Sequence, residues 1–317
     1  MTATSDWEIT PYTSADREEW NRFAAGSPCA TFLFDRGYMD YHADRFADAS
    51  LMVRHGGKTV ALLPANRAGD TLFSHQGLTY GGWILPERHL DAAAFMSLWQ
   101  EWLAFEKRRG TAEIIYKPLP HIYHRIPSEA DLYMLFRSGA TLIESAVSST
   151  LRPDSFPGFN KLMKRQLKKA LQSGLRVAET TDTAAFSVML AECLRQRHSA
   201  VPVHSAAELE LLRSRFPDRI RIFAVEAEGA MQAGVCVYDT GIAAHAQYIA
   251  STPLGRELHL LPLIFHHLIS AEYASRRYFD FGISCEDGGR YLNEGLLRQK
   301  TAFGGTPTVY TRWRLTL

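Results

Sequence analysis

The final forty residues gather polar side chains and glycines around the end of one apolar strand. Residues 278–284 are predicted to form a buried strand that ends in a small polar residue, and residues 285–290 form an acidic, glycine-rich loop. Asn293 and Lys300 follow on a predicted helix. Polar groups at the carboxyl end of an apolar strand usually serve a ligand, because burying them otherwise costs free energy. This segment is the first candidate for a catalytic site, and it indicates a transferase.

A histidine in the strand predicted over residues 242–251 has the chemistry of a general base. His245 and Gln247 share one face of that strand by its two-residue period. An imidazole changes its charge near neutral pH, so His245 is suited to take a proton from an amine. Gln247, beside it, is a candidate for binding the substrate. The other interpretation is a core histidine bonded to a neighbouring strand.

Two polar residues of the segment 278–284 are expected to face one side of their strand. Asp280 and Ser284 are separated by an even number of positions, and both are candidates for binding substrate. An acid inside an apolar run needs a partner. Asp280 is expected either to bind a hydroxyl or an amine of the substrate, or to brace a histidine or a backbone turn.

Four further polar residues flank the predicted strands. Glu286, in the acidic loop, is a second candidate base, although a solvated turn also explains it. Asn293 is expected to organise the following helix and to contribute to the substrate site. His198 and His204 stand at the two ends of a proline-containing loop that is suited to closing over a ligand. Two histidines without a set of carboxylates predict no metal site.

The first half of the chain contributes a shorter polar cluster. His75 and Tyr80 precede Gly81 and Gly82, and the paired glycines allow the backbone to approach another group closely. His75 and Tyr80 are therefore candidates for binding the acceptor.

A helix predicted over residues 158–173 carries its cations on one face and its apolar residues on the other. Such a face is usually only solvated, but here it also suits a nucleotide-sugar, a coenzyme A phosphate or a tRNA. The cations are Lys161, Lys164, Arg165, Lys168 and Lys169.

Composition describes an ordinary globular protein of two domains. The 317 residues carry a net charge of +1, which argues against a dedicated DNA-binding protein. Residues 1–150 have a balance of −4 and residues 151–317 one of +5, so the second half is the better place for an anionic ligand. The four cysteines lie far apart and predict free thiols. Without a secretory signal or a membrane span, the protein is expected to be cytoplasmic.

The order of predicted elements repeats once along the chain. Each half contains helices, a three-stranded meander, a further helix and a strand, which predicts two α+β units, each a mixed, mainly antiparallel sheet flanked by helices. The predicted domains are residues 1–150 and 151–317, with a linker bracketed by Pro127 and residues 151–153. Helices are also predicted over residues 35–46 and 257–276.

The element order and four local motifs resemble a known family. The motifs are SHQGLTYGG at residues 74–82, FDFGIS at 279–284, YLNEGL at 291–296 and KTAFGG at 300–305. They resemble Fem-related proteins of the GNAT acyltransferase superfamily, which have two GNAT-like units and are often associated with bacterial surface-polysaccharide synthesis. The resemblance implies acyl transfer to an amine, from a thioester or from an aminoacyl-tRNA.

The resemblance also implies roles for individual residues. The thioester is expected between the splayed strands 242–251 and 278–284, with backbone N–H groups near Tyr248 and Ala250 holding the acyl group. Lys300 matches the lysine that the Fem family places at its transfer site. Gly255 matches the glycine of the superfamily's pyrophosphate loop, with Arg256 beside it. Thr252 and Glu257, however, depart from that loop's pattern.

Three functional hypotheses follow. The first is an acetyl-CoA-dependent N-acyltransferase acting on an amino sugar or a nucleotide-linked amino sugar, in which the first domain binds the acceptor and the second holds the acyl donor. The second is a Fem-like transfer from aminoacyl-tRNA to a cell-wall precursor. The third is a catalytically silent GNAT-like binding module. The predicted catalytic residues are His245, Glu286 and Lys300.

Overall fold

The computed structural model describes residues 7–87, 90–198 and 201–317, without the side chains of residues 197 and 198. The chain folds into two compact units. The first unit contains the residues up to Ala146, together with Gly288–Arg290 and Val309–Leu317; the second contains Val147–Asp287 and Tyr291–Thr308. In the described part of the chain, no helix is both long enough and apolar enough to cross a membrane.

The first unit places its helices around two groups of strands. Strands β1, β3 and β4 pair antiparallel, and β2, β5, β6 and β7 follow one another in a second group in which only β6 and β7 are parallel. The helices are α1 (Arg17–Gly26), α2 (Arg36–Met39), α3 (Ala92–Arg108) and α4 (Ala130–Arg137). The strands are β1 (Glu8–Pro11), β2 (Ala47–Asp48), β3 (Leu51–His55), β4 (Lys58–Leu63), β5 (Asn66–Ala68), β6 (Thr71–Phe73) and β7 (Glu113–Tyr116).

The helix predicted over residues 35–46 is wrong. Within this range only α2 is an α-helix, and a 3₁₀ turn follows it at Asp40–His42. The imidazole Nδ1 of His42 lies 2.7 Å from the carbonyl oxygen of Met39, which the next helical turn would otherwise use. A side-chain contact with the backbone therefore ends the helix early.

The predicted linker between Pro127 and residues 151–153 is also wrong. This stretch forms α4 and the strand β8 (Thr141–Leu151), one of the longest strands of the chain. Residues Ala146, Ser148 and Thr150 alternate with Val147 and Ser149, which is the two-residue period of a strand. The small polar residues concealed that period.

The second unit is one sheet with helices on both faces. Its strand order is β8-β13-β12-β11-β10-β9, with antiparallel pairs except for the parallel pair of β12 and β13. The helices are α5 (Lys161–Gln172), α6 (Thr183–His198), α7 (Ala206–Arg215), α8 (Pro253–Glu257), α9 (Leu260–His267) and α10 (Glu294–Ala302). The strands are β9 (Ala178–Thr180), β10 (Ile220–Ala227), β11 (Ala230–Asp239), β12 (Ala243–Ser251) and β13 (Tyr278–Ile283), and β14 (Cys285–Glu286) and β15 (Tyr291–Leu292) pair as a small separate sheet. The last strand is β16 (Thr306–Thr316), whose residues from Val309 belong to the first unit.

Helix α9 covers one face of this sheet and α6 the other. Apolar residues of α9, β11, β12 and β13 form one buried cluster, to which α5 adds Met163 and Ala170. On the other face, a Cβ on Gly234 would lie 3.0 Å from the Phe186 ring of α6, so the helix packs directly on the strand. The predicted α+β class, with mainly antiparallel strands flanked by helices, is confirmed.

The helix predicted over residues 257–276 is interrupted. His259 has a φ of 57° and separates α8 from α9, and residues Leu268–Glu272 continue α9 as a π-helical turn. Helix α7, which begins at the capping box of Ser205 and Glu208, is absent from the sequence prediction.

Candidate active site

The parallel strands β12 and β13 separate in the second unit. They pair only over Ala243–His245 and Tyr278–Asp280, and His245 lies opposite Asp280 as the last pair. Beyond that pair the two strands continue without pairing to each other. The separation leaves backbone groups on both strands without their neighbour, in agreement with the splayed strands that the sequence predicts.

Irregular backbone accompanies the separation. The register of β11 against β12 shifts at Gln247, which leaves Gln247 as a bulge, and Gly282 of β13 has a φ of +79°. Directly paired residues point their side chains to the same face, so His245 and Tyr248 share a face through their partners Tyr238 and Cys236. The bulge thus brings Tyr248 onto the face of His245, and the predicted role of Gln247 beside His245 stays a prediction.

His245 and Asp280 form a hydrogen-bonded pair where the strands separate. The Nδ1 atom of His245 donates to Oδ2 of Asp280 at 2.7 Å, and Asp280 is completely buried. The other oxygen, Oδ1, accepts from the hydroxyls of Ser148 (2.6 Å) and Thr150 (2.7 Å) on β8. Of the two predicted roles of Asp280, the structure contains the bracing of a histidine.

The hydrogen bonds decide the charge of this carboxyl. Burial acts to raise the pKa of Asp280, but the bonds from His245, Ser148 and Thr150 outweigh it, and the pKa lies below its usual value. Asp280 is therefore an anion at neutral pH. Because the anion accepts the Nδ1 proton, it favours the tautomer of His245 whose lone pair is on Nε2.

Lys300 occupies the gap that the separated strands leave beside β13. Its Nζ atom donates to the backbone carbonyls of Gly282 (2.8 Å) and Ile283 (2.6 Å). Lys300 is only 5% exposed, and burial lowers its pKa to about 8, although the negative charge of Asp280 acts in the opposite direction. The ammonium group thus donates to two carbonyls the hydrogen bonds that a neighbouring strand would otherwise supply. A catalytic role for Lys300 stays a prediction.

Tyr248 and Ala250 lie along the separated part of β12. The hydroxyl of Tyr248 is 2.6 Å from Nδ1 of His204, which anchors the loop before α7 to the strand. Ala250 is buried and lines a small cavity of about 100 Å³, together with Phe281 and Lys300. His198 ends α6, and its side chain lies outside the described residues.

A larger cavity of about 780 Å³ opens beside α8. Gly255 and Arg256 line it from α8, and residues of α5, α9 and α10 complete its wall. The amide of Gly255 is bonded to the side chain of Thr252, and the guanidinium of Arg256 donates to the carbonyl of Ser251 at 2.7 Å. Gly255 and Arg256, two of the four predicted cofactor-binding residues, therefore border a cavity while bonding to the chain itself.

The remaining predicted residues of the second unit lie around the start of α10. Asn293 caps this helix by accepting from the amide of Leu296, and its side-chain nitrogen donates to Glu286, which is exposed. Ser284 is buried, and its hydroxyl has no hydrogen-bond partner among the described residues. No group of three metal-ligating side chains occurs in the described ranges.

His75 and Tyr80 belong to a compact loop of the first unit. His75 is buried with a φ of 70°, its ring stacks on His42 at 5.2 Å, and burial lowers its pKa well below the usual value. The Tyr80 hydroxyl donates to Thr31 at 3.1 Å. The side chain of Lys117 donates to two carbonyls of this loop, and burial lowers its pKa to about 7. The loop is strained and internally bonded, and its part in acceptor binding stays a prediction.

Ser148 and Thr150 are the site residues that sequence reasoning missed. Both lie on β8, 132 and 130 positions away from Asp280 along the chain. The alternation within residues 146–150 would have predicted the strand, but nothing local indicates which strand it pairs with.

Comparison with known proteins agrees with this geometry. Residues 159–291 match the family model described as an acetyltransferase (GNAT) domain. None of the curated protein sequences matches the chain.

Solved structures resemble the whole chain at low sequence identity. FemX is 12% identical with a TM-score of 0.71, covering 98% of this chain and 97% of FemX. The C-terminal domain of a putative lysylphosphatidylglycerol synthetase from Agrobacterium fabrum is 14% identical with a TM-score of 0.61, covering 96% and 93%. A tandem GNAT protein from the clavulanic acid biosynthesis pathway is 15% identical with a TM-score of 0.52, covering 98% of both chains.

Residues 159–291 thus match a GNAT acetyltransferase domain, which supports a transferase. The whole chain has a fold similar to that of FemX and to that of a tandem GNAT protein. The predicted resemblance to Fem-related GNAT acyltransferases is confirmed in domain and fold.

Proposed function

We propose that the protein transfers an acetyl group from acetyl-CoA to the amino group of an amino sugar or a nucleotide-linked amino sugar, in bacterial surface-polysaccharide synthesis. The single observation that carries the proposal is the His245–Asp280 pair at the point where β12 and β13 separate. A neutral amine that attacks a thioester must lose one proton as the acyl–nitrogen bond forms, and a histidine held by a buried carboxylate is suited to remove it.

His245 is the general base of the proposed reaction. Its Nε2 atom takes a proton from the acceptor amine as the acyl–nitrogen bond forms and the acyl–sulfur bond breaks, and it returns the proton to the thiolate product. Asp280 orients the imidazole and stabilises its positive charge while the proton is held there. Lys300 fixes the carbonyls of Gly282 and Ile283, and so keeps β13 in the shape that the site requires.

The donor is proposed to lie along the separated strands of the second unit. The small cavity lined by Ala250, Phe281 and Lys300 suits the acyl end of the donor. Ser251 lines both this cavity and the 780 Å³ cavity, and the larger cavity suits the remainder of the donor. Residues 1–150 are proposed to bind the acceptor, with His75 and Tyr80 in that role, and residues 151–317 to hold the donor. Glu286 is kept as the second candidate base.

A second candidate function is transfer from aminoacyl-tRNA to a cell-wall precursor. It is favoured by the 0.71 TM-score with FemX and by the closed start of α8, which offers little to a pyrophosphate. The two functions differ in both the donor and the acceptor, and they share the His245–Asp280 pair.

The first experiment measures thiol release from acetyl-CoA with a panel of nucleotide-linked amino sugars. His245→Gln is expected to lower kcat by ~10²- to 10⁴-fold. His266→Gln is the matched control, since His266 is a partly buried histidine of the same unit whose side chain contacts Ser270. Release without an amino sugar, or an unchanged kcat in His245→Gln, contradicts the proposal. Transfer from aminoacyl-tRNA alone favours the second candidate.

A further inference from the structure

The segment that the GNAT resemblance assigns to pyrophosphate is closed by the chain's own groups. The hydroxyl of Thr252 accepts from the amide of Gly255 at 3.0 Å and donates to Oε1 of Gln232 at 2.6 Å. The amide of Arg256 bonds to the carbonyl of Thr252, and Pro253 has no amide proton. The amides of Gly255 and Arg256 are therefore already occupied by Thr252.

Gly255 has a packing reason that needs no ligand. A Cβ at this position would lie 2.1 Å from the backbone carbonyl oxygen of Gln232, so α8 packs directly on β11. The guanidinium of Arg256 is turned to the carbonyl of Ser251, and exposed Glu257 adds a negative charge. The charge and the geometry of this turn both disfavour an anion.

Helix α5 offers the opposite conditions on the same cavity. Its five cations are exposed, and none of them has an ion pair with any residue that the structure describes, whereas Arg54 and Arg221 are paired with carboxylates. Leu162, Met163 and Gln166 of α5 line the 780 Å³ cavity beside α8. Unpaired cations next to a large cavity favour an anionic ligand.

The helical period decides which of these cations lie nearest the cavity. Side chains three or four residues apart are neighbours on a helix. Within α5, Arg165 follows the lining residue Leu162 by three positions and Lys169 follows Gln166 by three. Lys164 is at such a distance only from Asn160, the N-cap residue before the helix. Lys161 and Lys168 have no lining residue three or four positions away, so they lie along the middle of the solvent face.

We propose that Arg165 and Lys169 of α5 hold the phosphate groups of the acyl donor at the mouth of the 780 Å³ cavity, in place of the turn that begins α8. This proposal rests on the proposed use of acetyl-CoA, whose 3′-phosphate and pyrophosphate are the anionic groups concerned. The apolar wall formed by Leu260, Leu261 and Pro262 of α9 then suits the uncharged pantetheine arm.

The test compares two double variants with equal loss of charge. In R165Q/K169Q the rim of the cavity loses both cations; in K161Q/K168Q the middle of the exposed face loses two. The KM of each protein is measured for acetyl-CoA and for acetyl-pantetheine, which has the thioester and no nucleotide. We expect R165Q/K169Q to raise the KM for acetyl-CoA at least about tenfold, because two charge-assisted contacts are lost, and to leave the KM for acetyl-pantetheine within about twofold.

The control variant is expected to change either KM by less than about threefold, since surface charges away from the ligand are screened by salt. Equal effects of the two variants on acetyl-CoA would overturn the assignment, because they would indicate only a general positive field. An unchanged KM in R165Q/K169Q would also overturn it, while leaving the proposed function in place. Wild-type protein that uses neither thioester would instead contradict the proposed function itself, and this inference with it.

Discussion

Replacing Asp280 with asparagine separates the chemical role of the buried carboxylate from its structural role. In Asp280→Asn the amide oxygen still accepts from Ser148 and Thr150, but the negative charge that holds the Nδ1 proton of His245 is lost. A hydrogen bond to a charged group contributes ~1.5–3 kcal/mol. At ~1.4 kcal/mol for each tenfold in rate, kcat is expected to fall about 10- to 150-fold.

The free energy of unfolding is expected to change little in the same variant. Asp280 is 0% exposed, so removing its charge also removes a desolvation cost, and the hydrogen bonds from Ser148 and Thr150 remain. Asp280→Ala provides the contrast, because it leaves the donors of Ser148, Thr150 and His245 without this acceptor and is expected to cost at least ~3 kcal/mol.

The assay is steady-state thiol release from acetyl-CoA over pH 6–10, with urea unfolding of each variant. We expect the kcat of Asp280→Asn to fall while its urea unfolding stays close to that of wild type, because the charge is lost and the hydrogen bonds from Ser148 and Thr150 remain. A kcat within threefold of wild type, or a loss of activity that follows a loss of stability, would refute the role of the pair.

Three further outcomes are expected. The pKa of Lys300 is about 8 in the folded protein and 10.5 in the unfolded chain, so between these pH values the unfolded chain binds more protons. The free energy of unfolding of wild type, relative to that of Lys300→Met, should therefore rise by up to ~3 kcal/mol from pH 8 to pH 10.5. A difference in urea unfolding that does not change with pH would contradict this. Gly255→Ala should destabilise by ~1–3 kcal/mol in the same assay, because its Cβ would lie 2.1 Å from a strand carbonyl oxygen, whereas Gly26→Ala, with nothing within 4 Å, should not destabilise. Ser148→Ala and Thr150→Val should each lower kcat about tenfold by removing a donor to the buried carboxylate; full activity in both would exclude them as positioning residues.

The sequence predicts the architecture because its signals are local. The three meander strands show a two-residue period that is visible within each strand. The turns that join them contain Gly229 and Gly241, which both have positive φ. The motif around Lys300 likewise predicts this residue on a helix, where the structure has it, and its side chain bonds to carbonyls of β13. Such patterns determined the α+β class and the family resemblance.

Errors in the sequence prediction occur where distant residues decide the local conformation. The strand over residues 141–151 was not predicted because it contains small polar residues, among them Thr150, which donates a hydrogen bond to the carboxylate of Asp280, 130 positions later. The helix after β12 is broken at His259, and the bulge at Gln247 turns Tyr248 onto the face of His245. The hydrophobic periodicity of a sequence does not predict a β-bulge or a residue in the left-handed conformation.

The sequence alone determined that this chain is a pair of α+β units with an acyltransferase motif and His245, Asp280 and Lys300 as its leading polar residues. Only the tertiary structure decided that His245 and Asp280 bond to each other, that Lys300 binds two carbonyls, and that the α8 turn is closed by Thr252. The physical reason is strand register: residues 35 positions apart become neighbours only when two strands pair, and hydrogen bonding across the sheet fixes that pairing.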